Sequence, residues 1–253
     1  MLQWFDNIKY NFGIACDFLV ETKEFDGQIF LAPYWGRFLL VMLLIAAAGY
    51  FIGSINFAVL LSKIKYKDDI RRHGSGNGGA TNMLRTYGKG AAALTYLGDF
   101  LKAFIVTLLG IIIGGETFGC IGGLACMFGH AFPVYFNFKG GKGVACASGV
   151  ILCLDPLVFL VCLLVFVVMV LGTKYVSLGS VMGAGLFPVF YCSMYQLHFS
   201  GYPGEELYPN AFMTIGSLIM AGLVVVLHRK NLKRIMDGTE NKVSFKKKVE
   251  EDK

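Results

Sequence analysis

Charge is scarce in this chain. Only 16% of its 253 residues are Asp, Glu, Lys or Arg, where a soluble globular domain carries about a quarter. The mean hydropathy is +0.60. Together with apolar runs of near-spanning length, this excludes an ordinary water-soluble fold and implies a polytopic helical membrane protein, one bundle rather than several domains. A compact basic-then-apolar start is also missing. Met1 to Gly36 carries acids, so the first apolar run reads as a retained span rather than a cleaved signal. The seven cysteines (Cys16, Cys120, Cys126, Cys146, Cys153, Cys162 and Cys192) are odd in number, show no CxxC spacing and sit mostly in apolar runs. They read as buried thiols acting as small hydrophobes, which argues against a zinc site or a cysteine nucleophile. Three familiar motifs are absent too. The fifth residue after each histidine is Gly78, Tyr135, Pro203 or Lys233, so no His-x-x-x-x-Asp occurs, and there is no GxSxG elbow. The nearest approach to a P-loop fails because Phe136 holds its first glycine position.

What is present divides into spans and polar segments. Apolar runs predict crossings at 38–61, 91–114, 118–137, 144–154, 156–172, 177–197 and 211–228. The fourth is short of the roughly 20 residues a crossing needs, and merging 144–172 into one tilted span would give six. Seven spans with the N-terminus outside bring 62–90, 138–143, 173–176 and 229–253 to the cytoplasm. Three basic residues (Lys9, Lys23, Arg37) then lie outside and the other twenty inside, against nine acids outside and eight inside. That is a strong positive-inside bias, and a six-span chain fits it worse. The expected fold is an all-α, seven-helix integral membrane bundle with a cytoplasmic C-terminus. It has an extracellular lead at 1–37, a membrane domain at 38–241 and a charged cytoplasmic tail at 242–253.

Three of the inner segments carry chemistry. The first, DIRRHGSGNGGATNMLR (Asp69 to Arg85), sets Ser75, Asn77, Thr81, Asn82 and Arg85 among four glycines. Glycine permits close backbone approach, and hydroxyl, amide and guanidinium groups donate to phosphate. The second is FGHAFPVYFNFKGGKGVA, where Lys139, Gly140, Gly141, Lys142 and Gly143 precede a predicted helix start at Val144, an arrangement suited to an anion. The third joins KYVSLGS, with Ser177, to HRKNLKRIMDGTEN. His228 and Asn231 share a face if the last helix continues, and Glu240 follows Gly238 so that it can return to a cation. One more pair, Asp99 and Lys102, stands three residues apart within a span, where buried charges neutralise one another. Anionic substrates at an inner membrane face follow from these residues. A transporter of a phosphorylated metabolite is the alternative, but its cations are expected near the midplane between repeats, and no repeated half is visible.

At these residues the chain resembles the acyl-phosphate:glycerol-3-phosphate acyltransferases, the bacterial PlsY family. Three stretches match in order: GSINFAVLLSKIKYKDDIRRHGSGNGGATNMLRTYGKG, GHAFPVYFNFKGGKGVACASG, and VSLGS followed by HRKNLKRIMDGTEN. The resemblance covers about Phe38 to Asn241. It implies a multi-pass enzyme of the bacterial plasma membrane that moves an acyl chain from acyl phosphate to the 1-hydroxyl of glycerol 3-phosphate on the cytoplasmic face. The products would be 1-acylglycerol 3-phosphate (lysophosphatidic acid) and phosphate. By the same resemblance Ser75, Arg85, His228 and Asn231 are expected to be catalytic. Asn77, Thr81, Asn82, Lys139, Gly140, Gly141, Lys142, Gly143, Ser177 and Glu240 are expected to bind substrate, with no metal, no cofactor and no nucleic acid partner. The chain departs from the family at Asn56 and Ala58, where proline and glycine are usual, at Gly78, where an apolar residue is, and at Cys146, where threonine is.

Overall fold

The computed structural model describes residues 15–25, 28–199 and 211–243. Much of the N-terminal lead, residues 200–210 and the residues beyond 243 therefore lie outside the described residues. A short helix, α1 (Cys16–Leu19), opens into an antiparallel hairpin of β1 (Val20–Phe25) and β2 (Gln28–Pro33), with Val20 opposite Pro33 and Phe25 opposite Gln28. The hairpin corrects the all-α expectation within the lead. The strands carry residues that favour a pleated backbone: Val20, Thr22 and Phe25 in β1, Ile29 and Phe30 in β2. Leu19, completely buried, joins Phe38 and Phe118 in a cluster that seats the lead on the bundle.

Beyond Pro33 the described residues are helical apart from the connecting loops. The helices are α2 (Trp35–Gly53), α3 (Phe57–Lys65), α4 (Ala80–Tyr87), α5 (Lys89–Gly114), α6 (Glu116–Ala131), α7 (Val144–Leu154), α8 (Pro156–Thr173), α9 (Val176–Phe199), α10 (Ala211–Leu227) and α11 (Arg229–Met236). Five stretches are long and apolar enough to cross a membrane, and a sixth is counted if α10 and α11 form one span despite a 53° bend. The region 144–172 is two helices. Asp155 Oδ1 accepts from the N–H groups of Leu157 and Val158 at 2.9 Å, and Pro156 occupies the first helical position, a strong start signal. At 11 residues α7 is about 16 Å long, half of a hydrocarbon core of about 30 Å. It is the short partner of α8.

The outward faces identify the solvent. The α8 span has a mean hydropathy of 2.9, yet only 17% of it is buried in the protein. Leu160, Leu164, Val168 and Leu171 point outward and exposed, as lipid-facing positions do. Inside, small residues let backbones meet. A Cβ on Gly49 would come within 2.6 Å of the Gly122 carbonyl oxygen, and one on Gly53 within 2.1 Å of that of Cys126. This is the close α2–α6 approach that small residues allow in membranes.

The first apolar run, expected as one helix over 38–61, is broken at Ser54–Asn56. Irregular backbone is tolerated at membrane depth only where protein groups satisfy it, and here they do. Lys102 Nζ donates to the carbonyls of Gly53 (2.9 Å) and Ile55 (2.6 Å) and to Asp99 Oδ1 (2.7 Å). Asp99 Oδ1 also accepts from the Phe57 N–H at 3.4 Å, and His130 Nδ1 lies 3.2 Å from both Asp99 Oδ1 and Lys102 Nζ. The expected Asp99–Lys102 pair is present, and it has a wider task than mutual neutralisation. Lys102→Met is expected to lower the thermal unfolding midpoint in detergent sharply, because it strands the Asp99 carboxylate and two buried carbonyls, a loss on the order of 3–5 kcal/mol. Adding Asp99→Asn should recover part of the loss; a Lys102→Met midpoint equal to that of the parent chain would contradict the bracing role.

Candidate active site

The polar loop after α3 is folded by its own side chains. Asp69 caps a 3₁₀ turn at Ile70–Arg72 through its Oδ1, which accepts from the Arg71 N–H at 3.0 Å. From α4, Asn82 reaches back into the loop. Its Oδ1 accepts from the Ser75 N–H at 3.0 Å, and its Nδ2 lies 3.0–3.1 Å from the carbonyls of Ile70, His73 and Asn77. The carboxamide, only 2% exposed, is committed to four backbone groups. Asn82 lines the cleft, and its polar atoms hold the loop.

The second loop follows α6 and is tied to the first. Arg71 Nη1 donates to the carbonyls of Phe136 (2.7 Å) and Lys139 (3.1 Å), while its guanidinium pairs with Asp69 at 2.7 Å. The Gly78 N–H donates to the Gly140 carbonyl at 3.2 Å, and the Gly141 N–H to that of His130 at 3.1 Å. Lys139, Gly140 and Gly141 were expected to bind substrate, yet they do not line the cleft among the described residues. The glycines are there for packing. A Cβ on Gly141 would sit 2.1 Å from His130 Nε2 and 2.7 Å from the Gly78 carbonyl oxygen. Its N–H is already spent within the protein, so it is not offered to a ligand. Gly143, with φ +78°, caps α7 and does face the cleft, as does Lys142.

The third group comes from the other end of the chain. The last helix does not run straight on: it bends at His228, which caps α11. His228 and Asn231 still face the same cleft. His228 Nδ1 lies 2.8 Å from the Val224 carbonyl oxygen. A carbonyl only accepts, so Nδ1 carries the proton and Nε2 is left as the basic nitrogen. Glu240 returns as anticipated to a cation, its Oε2 accepting from Arg234 Nε at 2.7 Å. Its Oε1 accepts from Asn231 Nδ2 (2.6 Å) and Ser177 Oγ (3.0 Å), and Lys142 Nζ donates to Asn231 Oδ1.

These parts converge on one cleft of about 950 Å³, counting the part open to solvent. Of the expected residues, Ser75, Asn77, Thr81, Asn82, Arg85, Lys142, Gly143, Ser177, His228, Asn231 and Glu240 line it. Burial pushes Lys142 down to about 8; Glu240 opposes that shift, and Arg234 and Arg85 reinforce it. Burial alone would raise Glu240, but hydrogen bonds from Arg234, Asn231 and Ser177 hold it below the usual carboxylate range. The cleft thus combines a desolvated cation with a carboxylate already occupied by donors. Tyr96, Phe166, Ser180 and Asn241 also line it. Ser180 and Asn241 stood inside the motifs read from sequence, whereas Tyr96 and Phe166 are aromatics within apolar runs, with no local signal to mark them. A second, apolar cleft of about 590 Å³ runs between α5, α7, α8, α9 and α10, past Ala147, Ser148, Ile151, Phe159 and Cys162. The two clefts share Tyr96, Val144, Phe166 and Ser180. Asp99, His130 and Cys146 bring a carboxylate, a ring nitrogen and a thiol within 4.8 Å of one another. The Lys102 ammonium already lies against the first two, so a cation occupies that position.

A family model described as glycerol-3-phosphate acyltransferase matches residues 43–238. The glycerol-3-phosphate acyltransferase of Thermoanaerobacter pseudethanolicus is 40% identical over 206 residues, covering 81% of this chain and 98% of that protein. Glycerol-3-phosphate acyltransferase 2 of Bacillus anthracis is 42% identical over 195 residues, covering 77% and 95%. Among solved structures, the fold is similar to PlsY, an integral membrane glycerol 3-phosphate acyltransferase. Its glycerol 3-phosphate form matches at a TM-score of 0.70 and 35% identity, over 80% of this chain and 96% of that one. Its lysophosphatidic acid form matches at 0.68 and 34%.

A cation near pH 8 predicts a pH dependence with a defined sign. Protonated Lys142 attracts an anion and the neutral amine does not, so anion affinity is present below pH 8 and is lost as pH rises through it. Sulfate does not titrate in this range. Its dissociation constant is expected to rise between pH 7 and pH 9, by up to about tenfold, and Lys142→Arg should flatten the profile. A flat parent profile would show that Lys142 does not hold the anion.

Proposed function

The chain belongs to the glycerol-3-phosphate acyltransferase family, of the PlsY type, and from that premise we propose that it transfers an acyl group from acyl phosphate to the 1-hydroxyl of glycerol 3-phosphate. The observation that carries the reading is the join of the two clefts. A polar one with Arg85 and Lys142 suits two phosphate-bearing substrates, and the apolar one that shares its wall suits an acyl chain.

In the proposed reaction the 1-hydroxyl oxygen attacks the acyl carbon, forming the ester C–O bond. The bond from that carbon to the phosphate oxygen breaks, and inorganic phosphate leaves with the electron pair. The hydroxyl proton passes to the departing phosphate, which is basic enough to take it, so no side-chain nucleophile is needed. Arg85 and Lys142 stabilise the developing negative charge, Ser75, Asn77 and Thr81 donate to phosphate oxygens, and Gly143 leaves room beside them. His228 and Asn231, with Ser177 and Glu240 behind them, orient the acceptor. Electrostatic preorganisation of this kind, rather than covalent catalysis, is the source of rate.

We place the site on the cytoplasmic face of the plasma membrane of a bacterium, with the N-terminus outside. Lys142 precedes α7 and Ser177 follows α8, yet both line one cleft, which supports a path that enters the bundle through α7 and returns through α8. That there-and-back pair, counted with the other helices, gives seven passes and agrees with twenty of 23 basic residues lying inside. Residues 1–37 form an outer lead, 38–241 the acyltransferase domain and 242–253 a cytoplasmic tail.

The purified chain in lipid is expected to release phosphate from palmitoyl phosphate only when glycerol 3-phosphate is present, and to be inactive with acyl-CoA. Comparable turnover with acyl-CoA and none with acyl phosphate would overturn the donor assignment. Ser75→Ala and Arg85→Ala should each remain folded and lose turnover by roughly 100- to 1,000-fold, about 2.7–4 kcal/mol; near-parental rates in both would remove this loop from catalysis. Ser148→Phe, which fills the apolar cleft, should raise the KM for palmitoyl phosphate well above that for a short-chain donor while sparing the KM for glycerol 3-phosphate. Equal donor KM values in parent and variant would place the acyl chain elsewhere.

A further inference from the structure

Asn56 is completely buried in the gap between α2 and α3, and it uses both ends of its carboxamide. Oδ1 accepts from the Val59 N–H at 3.0 Å and caps α3. Nδ2 donates to the Gly78 carbonyl at 3.0 Å, across 22 residues of sequence. Gly78 lies between Asn77 and Gly79, which both line the polar cleft, and its own N–H donates to the Gly140 carbonyl. The polar loop is therefore gripped at one residue from two sides: by the break in the first span and by the loop that carries Lys142. The fit is close. A Cβ on Gly78 would meet Asn56 Oδ1, Asn56 Nδ2 and Val59 Cγ2, each at 3.3 Å.

A helix cap needs only the acceptor, which Ser, Thr or Asp also supplies. The donor half of Asn56 has no part in the cap. We propose that Asn56 is a positioning residue for the acyl transfer: its Nδ2–Gly78 tether sets the Ser75–Arg85 loop against the Lys142 loop from the buried break between α2 and α3. This rests on the acyl-transfer reading above. Asn56 touches no substrate and acts through the spacing of the two loops, to which rates are sensitive at the level of an ångström.

The test is Asn56→Ser, which keeps a cap acceptor and is too short to hold Gly78. It is expected to fold with a cooperative thermal transition, to lose turnover by roughly ten- to a hundredfold, and to leave the KM for acyl phosphate within twofold. Gly78→Ala, which keeps the Asn56 side chain and presses on it at the tether, should show the same loss. The double variant should be no worse than the poorer single one, since one tether is lost once. Turnover within twofold of the parent in Asn56→Ser, or additive losses in the double variant, would overturn the proposal. Should Asn56→Ser fail to fold, Gly78→Ala decides, and full turnover there overturns it. Failure of the acyl-transfer reading would appear separately, as no phosphate release by the parent chain. The tether is then judged on sulfate affinity, which depends on the same loops: weaker binding in Asn56→Ser supports it and unchanged binding overturns it.

Discussion

A peptide group at membrane depth has no water to turn to, and the gap between Gly53 and Phe57 is where this protein meets that constraint. The break in the first span frees carbonyls and N–H groups that an unbroken helix would have satisfied. Lys102 takes two of the carbonyls, Asp99 and Asn56 take N–H groups, and Ser54 Oγ donates back to the Tyr50 carbonyl at 2.9 Å. A buried lysine is tolerable only with such partners, and a buried aspartate only with the lysine. The break is thus sustained by charge, and the charge is sustained by the break.

The rest of the site hangs from this arrangement. His130, held between Asp99 and Lys102, supplies the carbonyl that receives the Gly141 N–H, while Asn56 supplies the donor for the Gly78 carbonyl. Each glycine-rich loop is anchored to a buried polar residue, one to His130 and the other to Asn56. Arg71 ties them a second time nearer the surface, through the carbonyls of Phe136 and Lys139. The two loops are thereby bonded into one wall. The opposite wall is built by Glu240, whose carboxylate gathers Ser177 from α9 and Asn231 and Arg234 from α11. Lys142 reaches across to Asn231 and joins the walls.

Electrostatics divide the labour. Glu240 is satisfied by neutral and cationic donors and stays ionised, so it anchors without competing strongly for an incoming anion. Lys142 is desolvated and surrounded by cations as well as Glu240, which lowers it to about 8. In the proposed reaction a phosphate arriving there restores the charge balance, because burial that makes the free cation costly favours a bound anion.

Much of the fold was legible from composition alone. In lipid the long apolar runs have few alternatives to helix, so the membrane class, the separate 156–172 helix and the convergence of polar segments could be read from hydropathy, Asp155-Pro156 and the basic-residue bias. Ser75, Arg85, Lys142, His228 and Asn231 were marked by the rarity of polar side chains around them, and the family resemblance sharpened their roles. Local pattern was silent wherever the partner lies far along the chain. An apolar run from Phe38 to Leu61 looks unbroken, because the groups that permit its break come from Asp99 and Lys102. Gly141 looks like part of a phosphate cradle, and sequence does not show that its N–H is bonded to the His130 carbonyl or that the His130 ring fills the space beside it. Tyr96 and Phe166 look like lipid-facing aromatics until α5 and α8 are placed beside the cleft. Sequence by itself determined the solvent, the helices and the chemical character of one face. Tertiary structure decided which polar atoms are spent on holding the protein together and which are left for a ligand, since a hydrogen-bonding group can be assigned only when its neighbours in space are known.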